Sequence, residues 1–143
     1  MAAYGDFFIA LDWGLKKVGY ASADPMGMIV TPRGHFKRSK TSIKWTLNTE
    51  DLKSIEQILE KHEAGHIVLG FPLLKDGQLG PEAVLCQEFA KTLETQVACP
   101  IHLVNEHLST WSSRGEQDDD AGAASVILRD FFSQRERTKN NNE

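Results

Sequence analysis

The chain is expected to fold as an α/β domain around a mixed five-stranded sheet. Three observations predict this. Three short apolar runs with tight links occupy the stretch from Phe7 to Phe36. The apolar spacing then changes to that of a helix, beginning at Leu52, Ile55, Ile58 and Leu59. From there strand-like and helical segments alternate, which gives the order β-β-β-α-β-α-β-α. Strands joined by short links form an antiparallel meander, and strands separated by helices pair in parallel through right-handed crossovers. Helices flank such a sheet because each apolar strand face must be covered.

The elements follow one by one. Phe7 to Asp12 is an apolar run that ends in an acid and is broken by Trp13-Gly14. Val18 to Ala23 is small and apolar, and Asp24-Pro25-Met26-Gly27 is a turn signal. Met28 to Phe36 is the third strand, where Pro32 implies an edge position or a bulge. Asn48 or Thr49 caps the first helix. His66 to Gly70 reads as a buried strand. Leu85, Phe89 and Leu93 mark a second helix with Pro81 in its first turn. Ile101 to Asn105 is the fifth strand, and Ala123, Ala124, Ile127, Leu128 and Phe131 mark the last helix.

With 143 residues, the expected organisation is one domain over residues 1–134 and a flexible polar tail over 135–143. Hydrophobic residues at 41% and charged residues at 25% argue against global disorder. A net charge of −4 provides no whole-protein field for nucleic acid, so binding of that kind needs local basic patches. The run Phe7 to Leu11 is too short for a signal-peptide core or a membrane span. Cys86 and Cys99 lack metal-ligand spacing and read as reduced thiols of a cytoplasmic protein with no membrane attachment.

Acids stand where such a sheet gathers ligands, at the carboxyl ends of strands. Asp12 closes the first strand and Glu106 follows the fifth. Asp120 opens the last helix within Asp118-Asp119-Asp120. Three converging carboxylates repel one another, and Mg²⁺ or Mn²⁺ relieves that repulsion through oxygen ligands. Two such ions about 3.5–4 Å apart suit phosphodiester cleavage. Each acid also has a local reading: Asp12 as a turn residue, Asp120 as an N-cap and Glu106 as an exposed loop acid.

Lys16 and Lys17 lie beside Asp12, where phosphate contact would be useful. Lys37, Arg38 and Lys40, with Lys44 and Trp45, form the densest basic cluster. It reads either as a nucleic-acid contact or as a solvated loop. Three other signals fail. His62-Glu63-Ala64-Gly65-His66 spells a zinc-protease motif, but Gly65 stops the helix that this motif requires. Gly70 to Gly80 lacks the Gly-Lys-Ser/Thr ending of a P-loop. The pattern Asp12-x-Gly14 also fits the phosphate loop of actin-like ATPases and sugar kinases, but those close two domains on a nucleotide.

Four segments in order resemble the YqgF family. Leu11-Asp12-Trp13-Gly14-Leu15-Lys16-Lys17-Val18-Gly19 is similar to its opening motif. Gly70-Phe71-Pro72-Leu73, Asp76-Gly77 and Gly80-Pro81 resemble its central segment. Asn105-Glu106-His107-Leu108-Ser109-Thr110 and Asp120-x-x-Ala123-Ala124-x-x-Ile127-Leu128 resemble the last two. The resemblance implies a ribonuclease H-like fold, with Asp12, Glu106 and Asp120 as catalytic and metal-binding acids. It also implies nucleic acid as partner. No dimer interface is announced in the sequence, and the chain is expected to be a monomer or weak homodimer. Members are described as nucleases that mature the 5′ end of pre-16S ribosomal RNA or as Holliday junction resolvases.

The chain also departs from the family pattern. Leu15, Asn105 and His107 stand where the family usually has Thr, Asp and Arg. Thirteen residues separate Glu106 from Asp120, fewer than the family typically has. The readings are therefore an rRNA-processing nuclease, a resolvase acting on branched DNA, or a catalytically inactive RNA-binding module.

Overall fold

The computed structural model describes residues 5–72, 74, 76–106 and 120–141. The elements are β1 (Phe7–Trp13), β2 (Lys17–Ala23), β3 (Val30–Lys37), α1 (Thr49–Lys61), β4 (Ala64–Pro72), α2 (Pro81–Gln96), β5 (Ile101–Glu106) and α3 (Asp120–Asn141). The five strands form one sheet in the order β3-β2-β1-β4-β5. β2 pairs antiparallel with both β1 and β3, whereas β4 pairs parallel with β1 and β5. This is the mixed sheet that the sequence predicts.

Local chemistry accounts for the element boundaries. β3 lies at the sheet edge, and its register shifts where Pro32 pairs with Ala21. Proline has no N–H for a ladder, so an edge strand with an irregular register is where it fits. Asn48 caps α1: its side chain accepts from the Asp51 N–H at 2.7 Å, and Asp51 accepts from the Asn48 N–H at 3.2 Å. The two orphan donors satisfy each other reciprocally. After α1 the chain reverses through Glu63, whose φ is +51°, and β4 begins at Ala64. His62 and His66 therefore share no helix, and the zinc-protease spacing is fortuitous. Pro81 opens α2, where its missing N–H costs nothing.

Strand alternation divides the core into two layers. Ile9, Leu11 and Trp13 of β1 face Ile55 and Leu59 of α1 and Phe89 and Leu93 of α2. Phe8 and Ala10 face the other way, into a layer with Ala124, Ile127 and Leu128 of α3. β4 is covered on both faces, and Ile67, Val68 and Leu69 are fully buried. Near-continuous apolar sequence is what such a parallel strand requires. The polar stretch from Arg135 onward enters as the continuation of α3, which runs through Asn141. The Arg135 guanidinium lies 5.8 Å from the Phe8 ring centroid.

Candidate active site

Asp12 is the penultimate residue of β1, half-buried and opposite Gly19 of β2. By alternation it shares the α3 face with Phe8 and Ala10. Leu11 pairs with Leu69, and Gly70 pairs with Val104. One residue beyond Leu11, Asp12 therefore stands level with Gly70 and Val104. Glu106 is two residues further along, the last position of β5. Position 106 has the parity of Val104, which belongs to the α3 layer. Between the two acidic positions, Gly70 contributes no side chain. α3 packs over this face and begins at Asp120.

The backbone thus puts Asp12 and position 106 on one face at the carboxyl ends of parallel strands, and the helix that begins at Asp120 covers that face. The side chains of Glu106 and Asp120 lie outside the described residues, as do His107, Asp118 and Asp119. Among the described residues, no group of three or more His, Cys, Asp or Glu gathers as a metal site.

The turn after Asp12 is constrained from within. A Cβ at Gly14 would lie 2.5 Å from the Lys17 carbonyl oxygen, so only glycine fits. Arg38 holds the same turn. Its Nη1 donates to the Gly14 carbonyl at 2.9 Å and the Lys44 carbonyl at 3.0 Å. Its Nη2 donates to the carbonyls of Ile43 (3.1 Å) and Thr46 (2.7 Å) and to Asp51 Oδ2 (3.0 Å). The guanidinium carbon also lies 4.8 Å from the Trp13 ring centroid.

This corrects one expectation. Arg38 is not available for phosphate: its side chain is 0% exposed and its donors are satisfied internally. The surrounding carbonyls explain why a basic residue is buried here. Lys16, Lys17 and Lys37 are exposed, and Lys17 pairs directly with Lys37 across β2 and β3. Like charges directly opposite each other on adjacent strands are unfavourable. Lys44 is bonded to Glu82, and the Trp45 indole donates to the same carboxylate at 3.2 Å. The hydrogen bond from Lys44 holds the Glu82 carboxyl below its usual range.

The contact between His66 and His102 is not foreseen in the sequence. Parallel pairing brings His66 Nδ1 to 3.1 Å from His102 Nε2, beside Phe8 and Phe131. No motif announces this pair, because the contact depends on the register between β4 and β5.

The strand order and the two-layer cover define a ribonuclease H-like fold. The chain belongs to the family described as RuvX: Holliday junction resolvase, whose model matches residues 6–134. It is 32% identical over 140 residues to a protein of Roseiflexus sp. (strain RS-1) named "Putative pre-16S rRNA nuclease", spanning 89% of this chain and 94% of that one. A protein of the same name from Myxococcus xanthus is 36% identical over 102 residues, spanning 71% of this chain and 63% of that one. T. thermophilus RuvC, solved in complex with a Holliday junction substrate, shares the fold with a TM-score of 0.52 and 12% identity. That match covers 92% of this chain and 96% of RuvC.

Proposed function

We propose that the chain is a cytoplasmic, metal-dependent nuclease that processes the 5′ end of pre-16S ribosomal RNA, acting as a monomer or weak homodimer. The observation that carries this reading is Asp12. It lies at the carboxyl end of β1 on the α3 face, one glycine-bearing strand away from the strand that ends at Glu106. Asp12, Glu106 and Asp120 form an oxygen-only donor set, which fits Mg²⁺ or Mn²⁺. Such ions supply charge stabilisation at the phosphate and a water of lowered pKa. Asp12 would hold the ion, which would in turn position the scissile phosphate. Lys16, Lys17 and Lys37 bind flanking phosphates.

The names of the relatives favour RNA. The description of the family favours a second reading, cleavage of a four-way DNA junction, which would need a two-fold dimer to match a two-fold substrate. One experiment separates them. The protein is given precursor RNA with an unprocessed 16S 5′ end and, separately, a DNA junction, each with Mg²⁺ or Mn²⁺. The expected result is cleavage of the RNA that stops with EDTA and falls by more than ~10²-fold in Asp12→Ala. Cleavage of the junction alone would establish the second reading. An unaffected Asp12→Ala protein refutes the site.

A further inference from the structure

We propose that Arg38 is a positioning residue for the nucleic-acid site, acting through the turn that carries Lys16. The proposal rests on the reading that Lys16 contacts phosphate.

Three segments meet on one guanidinium: the Gly14 turn, the loop from Ile43 to Thr46, and Asp51 in the first turn of α1. The backbone N–H of Arg38 also donates to the Lys16 carbonyl at 2.8 Å. Arg38 therefore grips the turn twice, once from its side chain at Gly14 and once from its main chain at Lys16. Trp13 is fixed by the same apparatus: it lies under the guanidinium, and its indole N–H donates to the Lys44 carbonyl. Asp12 is thus followed by two residues that Arg38 holds, and then by the lysine-bearing turn.

The chemistry of the clamp argues for positioning. A buried ion pair is an expensive way to close a loop, and apolar residues of similar volume are often as stable or more so. What apolar residues cannot do is bind several carbonyls in fixed directions. The planar guanidinium fork does this, and a lysine ammonium does not. The bonds end on the segment after Asp12, where small displacements matter for binding.

The test is a double-mutant cycle on RNA affinity, read in EDTA so that no cleavage is needed. The variants are Arg38→Lys, Lys16→Ala and their combination. Arg38→Lys keeps the charge opposite Asp51 and loses the fork. We expect it to melt cooperatively yet bind RNA more weakly. The combined variant should bind about as weakly as Lys16→Ala alone, a coupling of about twofold or more. A merely structural role predicts independent, additive losses, and that result overturns the proposal, as does unchanged affinity in Arg38→Lys. If Arg38→Lys does not fold, Arg38→Met/Asp51→Leu takes its place in the same cycle. Wild-type protein that binds RNA but cuts none refutes the nuclease reading while the cycle still decides this one. Wild-type protein that binds no RNA refutes both.

Discussion

Arg38 and Asp51 face each other inside the protein, Nη2 3.0 Å from Oδ2, with side chains 0% and 1% exposed. The same Oδ2 accepts from the Asn48 N–H, so one carboxylate caps the start of a helix, anchors a loop and balances a buried cation. Removing either partner leaves a buried charge uncompensated. Arg38→Ala should lower unfolding free energy by about 3–5 kcal/mol. Chemical denaturation measures this, and a midpoint equal to wild type would contradict the buried pair.

Gly14→Ala should distort the turn after Asp12. The new Cβ meets backbone, the Lys17 carbonyl oxygen at 2.5 Å, and backbone does not swing aside like a flexible side chain. Crowding of this kind costs about 1–3 kcal/mol. The expected outcome is a lower melting temperature together with weaker cleavage. A variant with normal melting and normal activity would show that the turn is loose.

The histidine pair predicts a pH dependence. Burial lowers the proton affinity of both His66 and His102, aided at His66 by Arg135 and at His102 by His66 and Arg135. Asp6 pulls His66 the other way. Their folded pKa values lie below the ordinary 6.5, so the unfolded chain binds more protons as the pH drops. This contribution to stability is fully present above about 6.5 and is lost as pH falls through the depressed values. Melting temperatures between pH 5 and pH 8 should show the decline, and His66→Phe should flatten it. An equal slope in that variant would refute the assignment.

Cys99 should resist thiol reagents in the folded state. Burial pushes its thiol up to about 11, and Cys86 is also buried. The thiolate is the reactive species, so native protein at pH 8 should take up no alkylating label until denaturant is added. Rapid labelling without denaturant would show that this part of the core opens.

Most of the fold was legible because it rests on local signals. The break at Gly14, the cap at Asn48 and Pro81 at the start of α2 each act within a few residues. Asp12 and Glu106 were legible as strand ends for the same reason. Arg38 was misread because a basic residue in a basic run looks solvated. Its carbonyl partners at Gly14 and Thr46 come together only once β3, the loop and α1 are assembled. His66 and His102, thirty-six residues apart, become neighbours through strand register alone.

The proposed site needs Asp12, Glu106 and Asp120 to hold divalent ions together. Isothermal titration with Mn²⁺ is the decisive measurement. Wild-type protein is expected to bind the ion, and binding should disappear in both Asp12→Asn and Asp120→Asn while the variants still melt cooperatively. No binding at millimolar Mn²⁺, with RNA affinity intact, would contradict it and leave an RNA-binding module that kept the fold without the chemistry.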